Sequence, residues 1–139
     1  MPDKDVVMAK VAIIQRCLKR IQETTDLDPE SLDNIDKQDI FVLNLQRAAQ
    51  AVIDLATHIV ASEGLGLPET IKDNFNLLHE GKIIHRELAK RMESMVGFRN
   101  IAVHNYESLN EEILKSILGK HLADLEEFYA TVLDYFGWK

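Results

Sequence analysis

Apolar residues in this chain recur every three or four positions, and they show no strand-like alternation of useful length. From about Lys37 to Ser62 the spacing puts Phe41, Leu45, Ala48, Val52, Ala56 and Ile59 on one face of a long helix. The same period predicts an earlier helix from about Asp3 to Thr25, striped by Val6, Val7, Ile13, Ile14, Cys17, Leu18 and Ile21. Between them, "TTDLDPESLDNIDKQD" is acidic, contains Pro29, and reads as a connector with a short turn of helix.

The remaining punctuation falls where helices should start or stop. "EGLGLP" closes the long helix, with Gly64 and Gly66 free to adopt positive φ. Pro68 suits the first turn of a third helix carrying Ile71, Phe75 and Leu78 and ending near Gly81. A fourth helix should run from about Ile83 through Leu88, Met92, Met95 and Val96 into "RNIAVHNY", residues Arg99 to Tyr106. Ser108, with Glu111 three residues on, has the capping-box pattern for a last helix holding Ile113, Ile117, Leu118, Leu122, Leu125, Phe128, Val132 and Phe136. The expected fold is all-α: one domain over residues 1–139, an antiparallel bundle of four main helices plus a short fifth. Gly97 interrupts the fourth helix at a cost of about 1 kcal/mol against alanine. Close approach of another backbone, such as a second subunit, would explain it.

A net charge of −7 and a pI near 5.2 have the wrong sign for a protein that coats nucleic acid non-specifically. Any nucleic-acid site must therefore be local and built from named cations. No apolar run reaches the roughly 18 residues of a membrane span. The first residues carry acids and no apolar signal core, and the single cysteine, Cys17, has no internal partner. These features lead us to expect a cytoplasmic protein without a membrane association.

"RNIAVHNY" carries the chemistry. Arg99 and His104 are five residues apart, about 140° around an unbroken helix, whereas Asn100 and His104 share a face. The arginine and histidine can meet at one ligand in two ways. The helix unwinds before His104, or two copies of the chain place their motifs face to face. The residue types suit phosphodiester cleavage without a metal. Histidine moves protons near neutrality, arginine offers a fork of donors to phosphate, and asparagine can orient either group. The competing reading is an ordinary helix end, where basic residues meet the negative end of the dipole.

The stretch "FRNIAVHNY" resembles the signature of the HEPN superfamily: an arginine, four to six residues, then a histidine late in the fourth helix of a bundle. With the following tyrosine it resembles the HepT toxin branch, and Arg99, His104 and Tyr106 fill all three positions. "LQRAAQAVIDLATHIV", "GLGLPETIKDNFNLL" and "MVGFRNIAVHNY" are similar to HepT segments in the same order. The resemblance implies a homodimer whose two motifs line a shared cleft, acting as a metal-independent endoribonuclease on RNA. It also implies a minimal nucleotidyltransferase antitoxin as partner, which attaches AMP to Tyr106. Arg99, His104 and Asn100 are then the catalytic group. No cofactor or metal is expected.

Other constellations are weaker. Arg47, Gln50, Asp54 and His58 form a polar stripe, either solvated or lining the same cleft. Asp54 would then orient a histidine or the Arg99 guanidinium, while His58 could simply pair with Asp54. Lys82, Arg86, Lys90 and nearby Arg91 form either a cationic track for RNA or a solvated face balanced by Glu87 and Glu93. His79, Glu80 and His85 lack metal-ligand spacing. His121 reads as a packing histidine on the apolar face of the last helix, and "YFGWK" as packing aromatics. Two other classes of function stay open: a non-catalytic subunit that presents a substrate to a nucleotidyltransferase, and a plain interaction bundle.

Overall fold

A computed structural model describes residues 1–105 and 109–138. Helix α1 spans Lys4–Thr25, and its first free N–H groups are taken by the Asp3 carboxylate. Asp26 and Leu27 follow with φ of 53° and 61°, and a 3-10 turn over Pro29–Asp33 leads to α2, Ile35–Ser62. Asn34 caps α2 as Asp3 caps α1. Then come α3 (Asp73–Glu80), α4 (Arg86–His104), α5 (Glu111–Ser116), a π turn over Ile117–His121, and α6 (Leu122–Phe136). α5, the π turn and α6 form one long arm, so four long elements and the short α3 make the expected bundle. Among the described residues no helix is long and apolar enough to cross a membrane.

α2 lies at the centre, against α1, α3, α4 and α6. Besides the expected face, Val42, Ala49, Ile53 and Val60 are buried, so α2 is covered on more than one side. Its small alanines let neighbours approach closely. Below it the Phe75 and Phe128 rings meet edge to face at 5.7 Å, joining α3 to α6. Phe136 and Trp138 stack at 5.1 Å and close the end of the core, as expected for packing aromatics, whereas Tyr135 of the same segment is 49% exposed.

Three details differ from the sequence expectation. Pro68 lies outside α3. The turn into that helix is made by Thr70 and Asp73: the Asp73 carboxylate accepts from the Glu69 and Thr70 N–H groups, and Thr70 Oγ1 accepts from Asp73 N–H. Ser108 lies outside the described residues, and α5 is capped by the Asn110 side chain, which accepts from Glu112 and Ile113 N–H. The last helix is not uninterrupted. A π turn adds one residue and shifts the helical phase, so the two arms no longer share one stripe. Ile113 is therefore 55% exposed, and the His121 side chain leaves the apolar face to lie 3.4 Å from Asp124 Oδ2.

Lys115 holds α5 to the 3-10 turn, with Nζ 3.0 Å from Asp33 and 3.4 Å from Glu30. The larger contribution comes from the core. Phe128→Ala should lower unfolding free energy by about 3–5 kcal/mol, as expected for a buried ring, measured as a shift in urea midpoint.

Candidate active site

α4 places the motif. Its N-terminus is fixed by His85, whose Nδ1 accepts from Leu88 N–H, and His79 Nδ1 lies 3.2 Å from the Ile84 carbonyl oxygen. Both histidines therefore serve the turn between α3 and α4. Leu88, Met92, Met95 and Val96 anchor the helix in the core. Its outward end carries Asn100, Ile101, Val103 and His104.

The helix runs unbroken through His104, and Asn105 N–H still donates to the Ile101 carbonyl at 2.8 Å. Unwinding before His104 is thereby ruled out. Arg99 and His104 keep the angular separation of a regular helix, about 140°. The Arg99 guanidinium is half-buried, and its Nη1 donates to Asn100 Oδ1 at 3.1 Å. That bond draws it toward the face Asn100 shares with His104. Arg99 Nε is buried without a hydrogen-bond partner among the described residues. His104 is exposed, and so are its neighbours Ile101 (45%) and Val103 (41%). An arginine with an unpartnered Nε and an open imidazole thus share one helix end with exposed apolar side chains. Tyr106 lies outside the described residues.

A groove of about 490 Å³ runs beside the motif, between α4 and the α5–α6 arm. Phe98, Ile101, Leu109 and Ile113 line it, and Arg91, Ser94, Asn110, His121 and Asp124 stand along it as its polar residues. Arg91 is not a free cation of a track. Its two terminal nitrogens bind Asp124 at 2.7 Å and Glu127 at 3.0 Å, so it ties α4 to α6. These acids hold the guanidinium in its charged form, the Asp124 hydrogen bond most strongly, while burial works against them. Arg86 and Lys90 remain exposed.

The polar stripe of α2 is drawn toward α1. Asp54 accepts from Gln50 at 2.8 Å and from Lys10 Nζ at 3.2 Å. His58 does not pair with Asp54; its Nε2 accepts from Asp3 N–H at 3.1 Å. Arg47 is exposed on the side of Cys17, where burial pushes the thiol up and the Arg47 charge partly offsets it. The Arg99 guanidinium bonds to Asn100, not to Asp54.

The groove and the π turn were not legible as a pattern in the sequence. One signal did exist, the mid-helix Gly97. Among the described residues outside the helix itself, a Cβ built there meets only Lys72 Nζ, at 3.8 Å, so no other described backbone crowds that glycine.

A helical bundle with arginine and histidine at the end of its fourth helix has the HEPN architecture. The chain belongs to the HepT-like ribonuclease family, whose model matches residues 14–132. It is 40% identical over 128 residues to the mRNA nuclease HepT of Shewanella oneidensis, covering 92% of this chain and 96% of the relative. It is 30% identical over 107 residues to the tRNA nuclease HepT of Aphanizomenon flos-aquae, covering 76% and 72%. In structure it is similar to the tri-AMPylated Shewanella oneidensis HEPN toxin in complex with MNT antitoxin. That match has a TM-score of 0.88 at 38% identity and covers 95% of this chain and 99% of the toxin. The chain is therefore an enzyme, a HEPN-type ribonuclease of the HepT toxin kind, and the non-catalytic readings fall away.

Arg91 is a structural tie in this site. The Asp124 side chain is only 11% exposed and Arg91 28%, so Arg91→Ala leaves a mostly buried carboxylate without its main partner. It should cost about 2–3 kcal/mol, below the ~3–5 kcal/mol of a fully buried pair. Adding Asp124→Asn should recover part of that loss in the same urea titration, because the stranded charge is gone.

Proposed function

We propose that this chain is a metal-independent endoribonuclease toxin of the cytoplasm whose active site forms between two copies of the chain. A minimal nucleotidyltransferase antitoxin silences it by attaching AMP to Tyr106. The observation that carries the dimeric site is the unbroken α4. It keeps Arg99 and His104 on different faces of one helix end, which is flanked by the exposed apolar Ile101 and Val103. A second copy facing that end would cover the apolar side chains and bring a second arginine and histidine to the first pair.

The chemistry follows from the groups. One His104 imidazole takes the proton of a ribose 2′-OH, and the 2′ oxygen bonds to phosphorus. Arg99, held by Asn100, donates to the phosphate oxygens as charge builds in the transition state. The phosphorus–5′ oxygen bond breaks, and the leaving oxygen takes a proton from the imidazole of the other copy. A cyclic phosphate end and a 5′-OH result, with no net change in protons. Two proton carriers and two guanidinium groups cover the charge changes, which is why the proposal needs no metal.

The AMP step rests on the toxin–antitoxin relative, which is described as tri-AMPylated and bound to an MNT antitoxin. Tyr106 is two residues beyond His104. An AMP there would bring an anionic phosphate within reach of the arginine that should hold RNA, and its bulk would fill the cleft.

Purified unmodified protein should cleave RNA in the presence of EDTA. His104→Ala should lower the rate about 10²–10⁴-fold with an unchanged circular dichroism spectrum, and retained activity would reject its role. Arg99→Lys should also fail, since an ammonium does not reproduce the fork. Tyr106→Phe should keep cleavage but gain no adenylate mass when incubated with ATP and the antitoxin.

A further inference from the structure

Lys72 lies immediately before α3, on a turn locked by the Thr70–Asp73 bonds described above. Its side chain crosses to α4 and ends beside Gly97, where Nζ is 3.8 Å from the position a Cβ would take. Among the described residues no other heavy atom lies within 4 Å of that position apart from the helix itself. Among the described residues Lys72 has no hydrogen bond or ion pair, whereas Lys10, Arg91 and Lys115 each hold an acid. An exposed ammonium thus stands over a patch of α4 that carries no side chain.

That patch points the same way as the motif. Seven residues separate Gly97 from His104, about 20° short of two full turns, and Asn100 lies about 60° away. Gly97, Asn100 and His104 therefore share one face, with Gly97 about 10 Å along the axis from His104. Such a separation is too long for Lys72 to hold the phosphate being cleaved.

The geometry points to Lys72 as a binding residue for the RNA backbone. Its ammonium and the bare helix at Gly97 form the seat of a phosphate neighbouring the scissile one, on the face that carries Asn100 and His104. This inference rests on the ribonuclease reading above. It explains a glycine inside a helix that no side chain or backbone of another described element crowds. Lys72 takes no part in proton transfer, so it governs how tightly the strand is held and not how fast the bond breaks.

The test uses the full-length protein and a single-stranded RNA oligonucleotide that the wild type cleaves. Lys72→Ala should raise KM roughly five- to tenfold, in line with the loss of one charge-assisted contact, and leave kcat within about twofold. The slope of log affinity against log salt, measured on a His104→Ala background, should fall by about 0.7, the value for one phosphate on a single strand. Lys72→Arg should restore both. A cleaving wild type whose Lys72→Ala variant keeps its KM and salt slope overturns this inference alone. So does a Lys72→Ala variant that loses only AMP transfer by the antitoxin, which would make the residue a protein contact. A wild type that cleaves no RNA overturns this inference together with the ribonuclease reading.

Discussion

Burial of α2 on several sides is the constraint from which the other helices take their places. Its core residues run from Phe41 to Val60, and the alanines among them, Ala48, Ala49, Ala51 and Ala56, keep the neighbouring helices close. α1 covers one side, while α3, α4 and α6 cover others. A helix surrounded in this way cannot rotate without exposing apolar surface, at about 25 cal/mol per Å². Each helix packed on it is therefore fixed in phase, α4 included, and the direction in which Asn100 and His104 point follows from how Leu88, Met92 and Val96 seat in the core.

The fixed phase keeps the two motif side chains apart within one chain. Asn100 gathers the Arg99 guanidinium, yet a regular helix keeps His104 well around the axis from Arg99. Polar ties reinforce the arrangement away from the motif. Arg91 braces α4 against α6 through Asp124 and Glu127, and His85 caps the start of α4. These contacts use up charged groups that a sequence pattern alone would assign to RNA. Among the described residues Lys72, Arg86 and Lys90 hold no acid, so Lys72 is set apart by its position over Gly97.

The π turn between α5 and α6 has a comparable effect. By inserting one residue it rotates Ile113 and His121 out of the stripe that begins at Leu125. Ile113, Ile117 and His121 then line the groove alongside α4. The groove and the exposed Ile101 lie together, so the apolar surface and the motif form one continuous region.

Helix existence, the approximate limits of α1, α2 and α4, and the residue types of the motif were all present in the linear pattern. Apolar periodicity and capping residues act over three or four positions, and local sequence carries that information. The tertiary structure alone decided the rest. It showed that α4 stays helical through His104, that Asp54 turns to Lys10 and Gln50, and that Arg91 is consumed by Asp124. It also set Lys72 over Gly97, 25 residues away in the chain. These outcomes depend on which long side chains meet across a packed interface. No period in a single helix encodes such a meeting, because it is fixed only when the core has set the helices against one another.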